Sequence, residues 1–392
     1  MTDLVTLSVD ELKPGMFVQE VTQQTGEFTI KTQGRVSTKQ AIQALRQKGI
    51  AEVIVDMSKS DLGAQEELPQ HQAIVAQEHI PFEEEINRAA SLYIQAKDVQ
   101  QQLVNSFADG KPLDLEPARE ISGLFVDSIQ RNPNAMLCMT HIKEKDDYLL
   151  EHSLNVAILL ASFSKFLGYD EESVMEIAFG GLLHDIGKVD IPDEILHKPG
   201  RLTPEEKAVM DGHVQAGIEA LEYIPNVSQT LLDIVGLHHE KLDGTGYPNQ
   251  ISGDEISQFG RMVSIVDCYD AITAERCYKK GMAASSAMRL LLKSVGSHFD
   301  GTLVNQFIKC FGVYPVGTLV KLKSEKLALI TELNEAQPLA SKVKTFYSLR
   351  SNHFLPPKDI DLGAGQDKVL ESIRAEDCNI DYKRFFAEQV MG

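Results

Sequence analysis

Hydrophobic and polar positions divide the chain into stretches of different period. Residues 1–57 carry short apolar runs broken by Gly and Pro. "LSVDELKPGMFV" and "FTIKTQGRV" read as strands, and "IAEVIVDM" as a closing strand. Between them "STKQAIQALRQKG" reads as a helix, capped by its Ser/Thr pair and stopped at Gly49. Residues 58–82 turn polar, with Gln, Glu and two prolines, and read as a linker. Apolar residues at Ile86, Ala89, Ala90, Tyr93 and Ile94 then predict a helix over 83–108. From about 115 to 312 one amphipathic helix follows another. Beyond Pro315, "VGTLVKLKSEKLALITELN" and "SKVKTFYSL" alternate in strand fashion. The expected fold is mainly α. It comprises a small α/β domain at 1–57, a linker at 58–82, connecting helices at 83–129, a helical domain at 130–314 and a small β-containing extension at 315–392.

Composition narrows the function classes. The chain has 392 residues, 43% of them hydrophobic and 24% charged, as in ordinary globular proteins. Its 38 Lys and Arg stand against 57 Asp and Glu, for a net charge of −19. That acidity excludes a general binder of long nucleic acids or anionic membranes, which need a basic surface. A small phosphorylated ligand stays open, provided that its site is a local island of positive charge. The N-terminus lacks the basic start and apolar run of a signal peptide. The longest strongly apolar stretch, Val156–Ala161, falls far short of the roughly 20 residues that cross a bilayer. Five scattered cysteines without a Cys-x-x-Cys pair read as reduced. A cytoplasmic protein without membrane insertion is expected.

The candidate chemistry lies in histidines. Five of the eleven, His152, His184, His213, His238 and His239, fall within 88 residues. "LLHDIGK" and "HHEKLDGTGYP" add acidic neighbours, and "SIVDCYDAITAERCYKK" supplies Asp267 and Asp270. Any one of these groups alone reads as a hydrogen-bonded structural residue or a solvated helix face. Their flanks change that, because Asp185 follows "AFGGLLH" and Asp267 follows "MVSIV", where the chain enters the core. A carboxylate there is costly unless it is paired or bound to metal. Imidazole-rich mixed sites suit Fe, Mn, Co, Ni or Zn, and seven ligands exceed one ion's needs. Two ions sharing a carboxylate form a hydrolytic device for phosphoryl centres. Lys188 lies four residues after His184, on the same face if the helix persists. Arg276 lies nine residues after Asp267, on the opposite side of an unbroken helix at about 100° per residue. Arg276 and Lys279 therefore help only if the helix bends or ends near Ala274–Arg276; as solvated surface cations they fit the spacing equally well. Tyr247, in the turn-rich "DGTGYP", is placed to stack on a base or approach the metals.

The ordered set "EHSLNVA", "GLLHDIGKVDIP", "LTPEEKAVMDGH", "GLHHEKLDGTGYP" and "RMVSIVDCYDAITAERCYKK" resembles the HD-GYP family of HD phosphohydrolases over about residues 130–312. The segment around "VDELKPGMFV" more weakly resembles the uncharacterised domain that often precedes it. The resemblance implies an all-helical HD-type catalytic domain that hydrolyses a 3′–5′ bond of a bacterial cyclic dinucleotide. The usual reaction takes cyclic di-GMP to linear pGpG. Carried over by position, His152, His184, Asp185 and Asp267 would hold one divalent transition metal, Fe or Mn. Asp185 would bridge to a second ion held by His213, His238 and His239. Lys188 would contact the scissile phosphate, while Asp270, Arg276 and Lys279 would line the phosphate and nucleotide side. Some members hold a third metal through a Glu four residues before the first His. Tyr148 stands there, and Glu151 is turned about 100° away, so two metals are expected. The alternatives are a preference for 3′,3′-cGAMP and a non-catalytic dinucleotide receptor. The N-terminal domain is expected to be regulatory, with a protein partner.

Overall fold

Val53 and Val55, two apart on one strand, are fully buried and mark the inner face of the N-terminal sheet. In the computed structural model, residues 4–9, 12, 13, 16–24, 34, 35, 50–56, 59, 80–141, 148–274, 281–334, 340–365 and 367–374 are described. The chain divides into two units, residues 1–72 and 73–392.

The first unit is an antiparallel sheet of β1 (Leu4–Ser8), β2 (Phe17–Gln24), β3 (Gly34–Arg35) and β4 (Ile50–Asp56), in the order β1-β4-β2-β3. Leu4 stands opposite Asp56 and Ser8 opposite Glu52. Val9, Leu12, Met16, Val18 and Ile50 join the two valines in a small core of its own. The stretch "LSVDELKPGMFV" is broken as its Pro and Gly predict: β1 stops at Ser8 and β2 starts at Phe17. Pro14 has no N–H to give a ladder, and Met16 N donates to Lys13 O at 3.2 Å. The helix expected over 37–49 and nearly all of the linker lie outside the described residues.

The second unit begins with α1 (Phe82–Ala108), followed by α2 (Glu116–Arg131) and α3 (Pro133–Met139). Glu85 is fully buried and ties α1 to α2, accepting from Arg131 Nε at 2.9 Å, Arg131 Nη2 at 2.8 Å and Ser128 Oγ at 2.8 Å. Next come α4 (Tyr148–Leu167) and α5 (Glu171–Leu183), whose apolar residues do not keep to one stripe. Such helices belong inside, and α4 is buried continuously from Glu151 to Ser164. A 3₁₀ turn (Ile186–Asp190) leads to α6 (Asp193–Leu196), α7 (Pro204–Asp211), α8 (His213–Glu222) and α9 (Gln229–Leu237). The helical part closes with α10 (Gln258–Thr273), α11 (Ala284–Lys293) and α12 (Gly301–Phe311).

The alternation beyond Pro315 is realised in an antiparallel sheet of order β8-β7-β6-β5-β9. Its strands are β5 (Leu319–Leu322), β6 (Lys326–Glu332), β7 (Lys342–Ser348), β8 (His353–Asp361) and β9 (Val369–Ser372). Val316, Leu319, Leu329 and Phe346 share one continuous core with Phe307, Phe311, α1–α5 and α8–α10, so this sheet is built into the helical body. Among the described residues no helix is long and apolar enough to cross a membrane.

Candidate metal centre

Three helix ends aim imidazoles at one point. His184 caps the C-terminus of α5, His238 caps that of α9, and His213 follows the last turn of α7. Helix C-termini leave carbonyls without partners, and here histidines use them. Nδ1 of His184 donates to Gly181 O at 2.7 Å, that of His213 to Met210 O at 2.7 Å, and that of His238 to Val235 O at 2.8 Å. A carbonyl only accepts, so Nδ1 carries the proton and Nε2 turns inward as a lone pair. His152, on α4, donates Nδ1 to Asp270 Oδ2 at 2.8 Å and points Nε2 the same way.

Asp185 stands between two sets of these nitrogens. Its Oδ2 is 3.3 Å from His184 Nε2 and 3.6 Å from His152 Nε2. Its Oδ1 is 3.3 Å from His213 Nε2 and 3.6 Å from His238 Nε2. Asp267, on α10, reaches His152 Nε2 at 3.0 Å through Oδ1 and His239 Nδ1 at 3.8 Å through Oδ2. Two groups have donor atoms close enough to surround one ion each: His152, His184 and Asp185, and Asp185, His213, His238 and His239. Asp267 belongs to neither group, although it lies between His152 and His239.

The donor chemistry fits cations. His213 Nε2 and His238 Nε2 lie 3.2 Å apart, and with both Nδ1 protons committed elsewhere two lone pairs face each other. His184 Nε2 and Asp185 Oδ1 are buried without a hydrogen-bond partner, a cost that a bound cation removes. Burial holds His238 down to about 4, against the pull of Asp185, so it stays neutral near pH 7. His239 is also lowered, by burial and then by neighbouring His238. Burial opposes the Asp185 charge, but His184 and Lys188 outweigh it and hold this carboxyl well below the usual carboxylate range.

Lys188 reaches Asp185 Oδ2 at 2.5 Å, by a route the sequence did not foresee. The α5 helix stops at Leu183, and the 3₁₀ turn carries the lysine back. That turn packs on α8 only because residue 187 is glycine: a Cβ there would sit 2.1 Å from His213 O. Asp270 departs from its expected place beside the substrate. It is 2% exposed, with Oδ2 on His152 and Oδ1 accepting from Asn155 Nδ2 at 3.2 Å, so it orients a histidine. Tyr247 lies over His239, with ring centroids 4.7 Å apart and planes at 34°, and Lys207 Nζ is 4.9 Å from its centroid. The loop is held by Tyr247 N donating to His239 O and by Asn249 N donating to Glu240 Oε1 at 2.7 Å. Gly246 is needed because a Cβ would meet Glu240 Cα at 2.5 Å. Arg276 and Lys279 lie outside the described residues; α10 ends at Thr273 and Ala274 is extended, as their use requires.

Sequence reasoning missed Asn155, Glu240 and Lys207. Glu240 adjoins the His pair and is 1% exposed, and a carboxylate beside two imidazoles was the available signal. Glu151 is buried and pairs with Lys97 Nζ at 3.4 Å. A separate cleft of about 620 Å³, lined by Arg119, Asp170, Glu176 and Ser228 among others, opens at the N-terminal ends of α5 and α9. The histidines cap the opposite ends of those helices, so this cleft is not the metal centre.

A helical body with a His/Asp cluster at converging helix ends defines an HD-domain phosphohydrolase, a metal-dependent class. The HD domain model matches residues 136–303, and a domain of unknown function (DUF3391) matches residues 4–118. The chain is 36% identical over 396 residues to the cyclic di-GMP phosphodiesterase PA4108 of Pseudomonas aeruginosa, covering 96% of this chain and 94% of that one. Two Vibrio cholerae proteins match a shorter part. The 3′3′-cGAMP-specific phosphodiesterase 2 is 38% identical over 159 residues, 40% of this chain and 30% of its own. A probable cyclic di-GMP phosphodiesterase is 37% identical over 185 residues, 44% and 42% of the two chains. The chain belongs to the HD-GYP family.

Proposed function

We propose that the protein is a cytoplasmic, metal-dependent phosphodiesterase that hydrolyses a 3′–5′ bond of a cyclic dinucleotide, taking cyclic di-GMP to linear pGpG. The observation that carries this reading is Asp185, whose two oxygens each face a different pair of inward-turned imidazoles. Near-full-length similarity to a cyclic di-GMP phosphodiesterase supports the substrate. His152, His184, Asp185 and Asp267 hold one divalent ion, Fe or Mn, and Asp185, His213, His238 and His239 hold the other. Bound, the ions supply Lewis acidity and a nucleophilic water near neutral pH. Lys188, Arg276 and Lys279 supply positive charge at the phosphate, and Tyr247 presents its ring to a base. The N-terminal unit, which has its own core, acts as a regulatory module for a protein partner.

The test is side-by-side kinetics of the Fe- or Mn-loaded protein on cyclic di-GMP and 3′,3′-cGAMP, with linear products identified. Faster cleavage of cyclic di-GMP, lost in Asp185→Ala, is the expected result. Both dinucleotides left intact, with wild type and variant indistinguishable, would sink the reading. A clear preference for 3′,3′-cGAMP would move the substrate to the mixed dinucleotide, which the similarity to a cGAMP-specific relative makes the second reading.

A further inference from the structure

Helix α1 lies outside the residues matched by the HD domain model and inside the DUF3391 match. Three of its polar side chains nevertheless reach the back of the histidine cluster. Tyr93, Lys97 and Gln100 are spaced i, i+4, i+7, so they share one face of the helix. Gln100 Nε2 donates to Leu182 O at 3.0 Å, two residues before His184. Lys97 pairs with Glu151, the residue before His152.

Tyr93 makes the longest connection. Its hydroxyl donates to Asn155 Oδ1 at 3.0 Å, Asn155 Nδ2 donates to Asp270 Oδ1 at 3.2 Å, and Asp270 Oδ2 accepts from His152 Nδ1 at 2.8 Å. All four residues are at most 7% exposed. Donor and acceptor types run in one direction along this chain. Asp270 can only accept, so Asn155 must turn its NH₂ to it, which leaves the amide oxygen for the tyrosine hydroxyl. Without that hydroxyl the buried amide oxygen loses this donor, and a competing amide orientation would withdraw the NH₂ from Asp270.

We propose that α1 is a working part of the metal centre. Tyr93 is a positioning residue that fixes the ring of His152 through Asn155 and Asp270, so a segment matched by a domain of unknown function completes the site. The inference rests on the reading of His152 as a metal ligand, and partners that orient ligating histidines typically matter about 10–100-fold in metal affinity or activity.

The test uses full-length protein and cobalt(II) as a spectroscopic probe, read by its visible absorption during titration. Tyr93→Phe is expected to weaken cobalt binding about tenfold, alter the cobalt spectrum and lower kcat at nearly constant KM. Asn155→Ala is expected to do at least as much, and the double variant no more than Asn155→Ala alone, because the two act in series. Ile94→Ala, on the exposed face of α1, should leave binding and spectrum unchanged. Wild-type affinity and spectrum in Tyr93→Phe, additive effects in the double variant, or an equal loss in Ile94→Ala would each overturn the inference. If wild type binds cobalt but cleaves no cyclic dinucleotide, the proposed substrate fails while the cobalt titrations still decide this point. A wild-type chain that binds no cobalt overturns both.

Discussion

At the scale of single residues, the cluster works through atoms whose partners are already assigned. Nδ1 of His152, His184, His213 and His238 is spent on a carbonyl or carboxylate, which leaves Nε2 for the centre. Gly187 is part of this device, since a side chain there would collide with the His213 carbonyl. Gly187→Ala should cost about 2 kcal/mol, as overpacked sites do, and should lower the bound metal per chain by moving His213. Thermal unfolding together with metal analysis would check both parts; an unchanged metal content would refute the second. Outside the proposed ligand set, His298 is stacked on Phe299 at 3.9 Å and is held down to about 4 by burial and then by Lys241. Unfolded, a histidine titrates near 6.5, so between those values the unfolded chain binds more protons. Stability should therefore fall as the pH drops from 6.5 toward 4. His298→Gln should flatten that part of a urea-midpoint profile, and an equally steep profile would count against the assignment. The metal-binding candidates were legible residue by residue because their motifs are local and their apolar flanks placed them inside. Asp270 was not, because its role depends on what stands opposite, and His152 is 118 positions away.

At the scale of elements, helix ends and helix contacts do the positioning. The end of α5 at Leu183 and the 3₁₀ turn after it were invisible to a periodicity argument, because "HDIGKVD" continues a plausible helical pattern. The buried Glu85 clamp is what fixes α1 against α2. Glu85→Ala leaves Arg131, one third exposed, without its bidentate partner and Ser128 without its acceptor. A loss of about 2 kcal/mol is expected, in the range for charged hydrogen bonds whose other group can reach water. Denaturant unfolding of the metal-bound protein would measure it, and a loss below about 0.5 kcal/mol would mean that the clamp behaves as a surface pair. The helix α1 itself was readable from its apolar stripe. Its polar stripe was not, since Tyr93 meets Asn155 across 62 residues.

At the scale of the whole molecule, the sequence suggests a helical domain with a β extension, whereas in the second unit the helices and the five-stranded sheet share one core. Phe307 and Phe311 of α12 belong to the same apolar cluster as Val316, Leu319 and Leu329. A chain ending at residue 314 should therefore expose that face and lose cooperative folding and metal binding together. Soluble yield and a circular-dichroism melt would decide, and a soluble, cooperatively melting 1–314 fragment would refute the shared-core account. The strands β5–β7 were readable from their apolar and β-branched residues, although β6 is buried on both faces from Leu327 to Thr331. The outer strand β8 was hidden by Pro356 and Pro357 within a mostly exposed run.

Those two prolines have a consequence beyond concealment. Among the described residues the β8 strand is one edge of the five-stranded sheet, where unpaired N–H groups would ordinarily recruit a strand from another molecule. Two adjacent residues without N–H groups interrupt that template. The border is thereby closed to fibre growth, and colloidal stability does not have to depend on the chain's strong negative charge alone.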